Sequence, residues 1–177
     1  MGKYHLIPGY AGPYLITWTV VAWQPVFIRP QYFDVLVKSF EFCRAHKGLG
    51  LHAFVIMPTH GHMIASGPEE DRLAGLIRDM KRHTSKQIHQ MLIEDGRQDL
   101  LAVCRTQARP GQDFALWQPE HHPKLLVGEE MALQKVRYIH GNPVRAGFVD
   151  EPEHWLYSSA RNYADRPDCV TQVDLLF

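Results

Sequence analysis

The chain has 177 residues, 45% hydrophobic and 21% charged. That is enough apolar material for one core, in a single domain or a domain with an extension, and it excludes wholesale disorder. Nineteen Lys and Arg balance nineteen Asp and Glu, so no net field draws the chain to a polyanion and any nucleic acid must be met by a local basic patch. Cys43, Cys104 and Cys169 fit neither a closed disulfide framework nor a zinc-ligand spacing, which points to reduced thiols and a cytoplasmic setting. Eleven residues are histidine, the side chain best suited to metals and to proton transfer near neutral pH.

In chain order, the β-branched and aromatic run Tyr14 to Trp23 predicts a strand, closed off by Pro25 and Pro30. At about ten residues it is half the length of a membrane helix, and the segment before it has no signal-peptide h-region, so no membrane partner is expected. Apolar positions at Phe33, Leu36, Val37 and Phe40 predict a helix over 31–46, stopped by Gly48 and Gly50. Leu51 to Met57 predicts a second strand, Pro58-Thr59 a turn, and His60 to Ala65 the returning strand. The longest helical pattern runs from Glu69 to Glu94, with Leu73, Leu76, Ile77, Met80, Thr84, Ile88, Met91 and Leu92 on one face. Periodicity fails from Asp95 to Gly111, predicting a long loop; Phe114 to Trp117 reads as a short strand, and Glu129 to His140 as a helix broken at Asn142-Pro143. The tail from Glu151 keeps Trp155, Tyr157 and Tyr163 and is expected to pack on the domain. This order predicts an α+β, ferredoxin-like two-layer sandwich: an antiparallel sheet of four to five strands with the helices mainly on one face.

His60 and His62 flank one residue of a predicted strand. Side chains on a strand alternate faces, so both imidazoles project to one side and can share a cation. Two exposed or hydrogen-bonded histidines are the bland alternative.

The run LHAFVIMPTHGHMI (51–64) resembles the strand-turn-strand of the HUH single-tyrosine transposases. A second block, YIHGNPVRAG (138–147), is similar to the tyrosine helix of the REP-associated branch of that family, and a third, WLYSSARNY (155–163), to the tail that follows it. Trp117-Gln118 and His122-Pro123 resemble further pairs of that branch. The resemblance runs from about Tyr14 to Tyr163, with the blocks in order. It implies a catalytic domain over 1–149 and a packed C-terminal extension over 150–177.

The resemblance also implies a chemistry. His60 and His62 would hold Mg²⁺ or Mn²⁺ against the scissile phosphate of single-stranded, hairpin-bearing DNA. Tyr138 would be the nucleophile, giving a 5′-phosphotyrosine and a free 3′-OH. The partners implied are REP-like or transposon-end inverted repeats, and family members include both monomers and homodimers. Tyr157, Tyr163, Tyr10 and Tyr14 are the other tyrosines open to the role, and on residue type alone Tyr138 reads as a half-buried packing residue. Asn142, one helical turn beyond Tyr138, is by resemblance the third ligand; it reads equally as a helix cap ahead of Pro143. Gly61 departs from the family pattern, where the residue between the histidines is bulky and apolar, and leads us to expect looser packing there.

For DNA contacts, Arg78, Lys81, Arg82 and Lys86 form a basic stretch on the long helix, and Arg137, Arg145 and Arg161 surround the tyrosine block. A solvated helix face is the alternative for each. The function expected is a metal-dependent DNA transposase or nickase; the alternative is a domesticated hairpin-binding protein without turnover. A metal phosphodiesterase with two separated His-x-Thr/Ser motifs is disfavoured, because His83-Thr84 supplies no second spaced copy.

Overall fold

The computed structural model describes residues 12–69, 72–119 and 123–177. Four strands form one antiparallel sheet in the order β2-β3-β1-β4: β1 Tyr14–Thr19, β2 Gly50–Ile56, β3 His60–Ser66 and β4 Lys124–Leu125. With α1 (Pro30–Lys47) between β1 and β2, and α2 (Arg72–Glu94) after β3, this is the ferredoxin-like order expected from the sequence. Gly48 ends α1 in the left-handed conformation, φ +68°, which glycine adopts without a Cβ penalty.

Strand alternation divides the core. Ile16, Trp18, Phe54, Ile56, Met63 and Ala65 face α1 and α2 and join Phe40, Leu73, Ile77 and Met80 in the larger cluster. Leu15, Val55 and Ile64 face the other way, where α4 (Glu129–His140) buries Ala132, Val136 and Ile139 against them. The helices thus lie mainly on one side, with α4 laid across the second.

Three expectations are corrected. The stretch expected to be a loop contains α3 (Gln98–Thr106), which buries Leu100, Leu101 and Cys104. Three apolar contacts in nine residues are too few to stand out against the arginines around them. Phe114 to Trp117 forms no strand; Trp117 makes a single bridge to Val20, and the fourth strand is the two-residue β4. The first strand also stops at Thr19, and a 3-10 turn, Val21–Trp23, follows.

The tail covers the outer edge of β2. Ser158 bridges Val55, the Ser159 hydroxyl accepts from the Phe54 amide at 2.9 Å, and the Trp155 indole donates to the Ile56 carbonyl at 3.0 Å. Covering an edge strand removes a row of open backbone groups that would otherwise invite pairing with another chain. Farther on, Asp174 accepts from Arg44 at 2.8 Å and from the Leu51 amide at 3.2 Å.

Candidate active site

β3 carries His60, His62 and Ile64 on one face. Ile64 packs against the face of α4 that carries Val136 and Ile139, so α4 is drawn across the same side as the two imidazoles. Tyr138, on the flank of that helix, comes to stand edge-on to His62 with ring centroids 5.5 Å apart. The two histidine rings are themselves 5.2 Å apart. Three residues from two distant segments therefore meet at one place.

Two threonines orient the imidazoles. Thr17, paired with His62 across β1 and β3, lies 2.8 Å from its Nδ1, and Thr59 lies 3.1 Å from Nδ1 of His60. With Nδ1–H donating to a hydroxyl, Nε2 keeps its lone pair free, the arrangement that ligating histidines use. Burial lowers the pKa of His60; burial, reinforced by His60 and Arg145, pushes His62 down to about 4. Both rings are neutral at pH 7, the form that binds a metal. The donor set fits a divalent ion in part. Among the described residues no group of three or more His, Cys, Asp and Glu gathers, so a divalent ion held by the two imidazoles would need further ligands of another kind, such as an amide or substrate oxygen.

Asn142 is not the N-cap of the helix that follows it. It is the first residue of the short helix α5 (Asn142–Arg145), and Gly141 holds the capping position without a side-chain bond. Its Nδ2 donates instead to the Tyr138 carbonyl at 3.1 Å and the Ile139 carbonyl at 3.4 Å, leaving Oδ1 as the atom available for ligation. Of the two readings open for Asn142, the cap is met at the other end: Gly141 continues the helical path, φ −76° and ψ −5°, into the proline, and the Asn142 amide closes the last turn of α4.

Arg145 belongs to this site. Its guanidinium lies 4.9 Å from the centroid of the Tyr138 ring and donates to the Tyr138 carbonyl at 2.6 Å. Tyr138 is 42% exposed, so part of its side chain is open to solvent. The other described tyrosines are held within the fold: Tyr14 and Tyr32 are buried, Tyr32 also donating to the Asp95 carboxylate at 2.8 Å, Tyr157 stacks on Phe33 at 3.9 Å, and Tyr163 donates to the His52 carbonyl at 3.1 Å. Tyr10 and His122 lie outside the described residues.

The remaining basic residues separate. Arg78, Arg82 and Lys86 follow one another by one helical turn along α2. Together with Lys81 they line a groove of about 420 Å³, closed by His89, Arg109, Phe114 and Gln118. Sequence reasoning missed Arg109, Phe114 and Gln118, which sit in segments without periodicity. Arg137 is exposed on α4. Arg161 is committed to the tail, donating to the Glu153 carbonyl and the Asp168 carboxylate at 2.8 Å each. His83, on α2, is across the sheet from the histidine pair.

Comparison with solved structures bears on the fold. A REP-associated tyrosine transposase bound to a REP hairpin superposes with a TM-score of 0.68 at 17% identity, over 100% of this chain and 94% of that one. This chain has the fold of a REP-associated tyrosine transposase. A provisionally described transposase from Deinococcus radiodurans R1 aligns with a TM-score of 0.49 and 18% identity, over 80% of this chain and 95% of that one. No protein-family model and no curated protein matches the chain. Among the described residues, no helix is long and apolar enough to cross a membrane.

Proposed function

We propose that the chain is a member of the REP-associated tyrosine transposases and cleaves and rejoins hairpin-bearing single-stranded DNA through Tyr138. The observation that carries this reading is the convergence of His60, His62 and an exposed Tyr138 within one chain.

In this reading His60 and His62, with Asn142, hold Mg²⁺ or Mn²⁺, which when bound supplies Lewis-acid polarisation of the scissile phosphoryl oxygen. Thr17 and Thr59 fix the imidazole tautomers. The Tyr138 oxygen attacks phosphorus and the phosphotyrosine bond forms. The bond from phosphorus to the 3′ oxygen breaks, and that oxygen leaves as a 3′-hydroxyl after taking a proton. The tyrosine proton passes to solvent, and the Arg145 guanidinium over the ring offsets the negative charge that develops on the phenol. Attack by the 3′-hydroxyl on the phosphotyrosine reverses the step, so the phosphodiester energy is conserved.

The α2 groove supplies the phosphate contacts for the duplex part of the substrate, with Arg78, Lys81, Arg82 and Lys86 along its wall. Because all three key side chains belong to one chain, a homodimer is not required to assemble the site. A hairpin-binding protein without turnover remains the second reading, favoured by the basic side chains' standing on α2, which packs on the face of the sheet opposite to the histidine pair. The two divide in one experiment: labelled hairpin oligonucleotide, Mn²⁺ and protein are incubated and run on a denaturing gel. A covalent adduct is expected; a shift on native gels without an adduct would leave binding alone.

A further inference from the structure

Trp23 stands next to the histidine pair in a conformation that packing alone does not require. Trp23 is 56% exposed and its ring sits edge-on to His60, with centroids 5.4 Å apart. Both Trp23 and Ala22 adopt positive φ, +54° and +50°, a region that residues with a Cβ rarely occupy and that costs backbone strain. Glycine at either position would relieve it. The turn is instead held from both sides. The Val21 amide donates to the Leu116 carbonyl at 2.9 Å, the Val20 amide to the Thr59 carbonyl at 2.9 Å, and Trp23's own amide to the Val20 carbonyl at 3.0 Å. Gln118, a wall of the basic groove, donates to the Val20 carbonyl at 3.2 Å. The strained turn therefore connects the basic groove to the turn that carries His60, and it presents a large flat ring at that junction.

We propose that Trp23 is a stacking platform for one unpaired nucleobase flanking the scissile phosphate. This rests on the DNA-processing reading above. An indole face accepts any base without hydrogen-bond readout. A base held there would fix the strand as it leaves the groove and enters the histidine pair. A protein partner would favour a broad apolar surface, whereas this ring is an isolated exposed indole beside two imidazoles, on a turn tied to a basic groove.

The test uses the full chain and hairpin oligonucleotides with single-stranded flanks, in which each flanking nucleotide in turn is replaced by an abasic residue. Wild type, Trp23→Phe and Trp23→Ala are compared by affinity and by Mn²⁺-dependent adduct formation, with thermal melting as a folding control. The wild type should lose about tenfold in affinity at one flanking position, in line with the usual strength of a base–aromatic stack. Trp23→Phe should keep most of that discrimination. Trp23→Ala should lose it, binding the intact and abasic substrates alike while its affinity for a hairpin with no flanks stays at the wild-type level. An abasic profile unchanged in Trp23→Ala would overturn the stacking role and leave the DNA reading intact. A wild type that bound none of the oligonucleotides would overturn both.

Discussion

The indole of Trp18 occupies the space that a side chain at Gly61 would fill. The two residues are paired across β1 and β3, and a Cβ at Gly61 would meet Cε2 of Trp18 at 2.6 Å. Trp18 in turn packs edge-on to Phe40, centroids 6.0 Å apart, on the α1 side of the sheet. The bulk missing between the histidines is thus supplied by the neighbouring strand, and the looser packing expected from the glycine is not found. His60 and His62 stand on a strand held as firmly as the rest of the core.

Gly61→Val should therefore destabilise the protein by about 1–3 kcal/mol, the usual cost of overfilling a packed core. Chemical denaturation measures it. Trp18→Leu combined with Gly61→Val should recover part of the loss. If Gly61→Val alone were neutral, the space between the two strands would be open and the pairing incidental.

Thr17 is predicted to position His62. Thr17→Val removes the hydroxyl at 2.8 Å while keeping a β-branched side chain, so melting should change little. Mn²⁺ affinity, read by titration calorimetry, should fall about tenfold or more, as for other groups that orient a ligand. Unchanged affinity would show that the ring needs no such partner, and the two-histidine metal site would lose its best support.

The protein should lose stability on acidification before its carboxylates titrate. His140 is buried, its Nε2 2.8 Å from the Ser159 hydroxyl, and burial pushes it from 6.5 down to about 4. The unfolded chain then binds a proton that the folded chain refuses, so stability is complete above pH 6.5 and falls as the pH drops toward 4. His62 adds in the same direction. His140→Gln should flatten the decline between those limits, measured as melting temperature against pH. An equally steep decline in the variant would assign it to other groups.

In the groove, Arg78→Ala and Lys86→Ala should each weaken hairpin binding with little effect on folding, since both are exposed on α2. If each contacts a phosphate, the slope of log affinity against log salt should fall by about one per contact. An unchanged slope would place the DNA elsewhere.

The sheet hairpin and α4 were legible because alternation and helical period are strong where one face is buried. Pairing of Leu51–Met57 with His60–Ala65, and both histidines on one side, follow from that alone. α3 escaped because Leu100, Leu101 and Cys104 are all that it buries. Thr17 looked like one polar residue in an apolar strand, and only the β1–β3 register reveals that it faces His62. Trp23 read as the end of a strand, since nothing in the residues announces two successive positive φ angles. The family resemblance named Tyr138 and Asn142; what it did not supply is that Asn142's amide is bound back to α4 and that Arg145 lies over the tyrosine ring.

The central claim is that Tyr138 forms the covalent bond to DNA. The direct measurement is adduct formation on a denaturing gel with labelled hairpin single strands and Mn²⁺, comparing wild type with Tyr138→Phe. Losing one oxygen from a residue that is 42% exposed should leave folding and hairpin affinity intact. The proposed role of Tyr138 requires an adduct with wild type and background signal with Tyr138→Phe. An adduct or cleavage that persisted in Tyr138→Phe would move the chemistry to another tyrosine or to metal-activated water, and would contradict it.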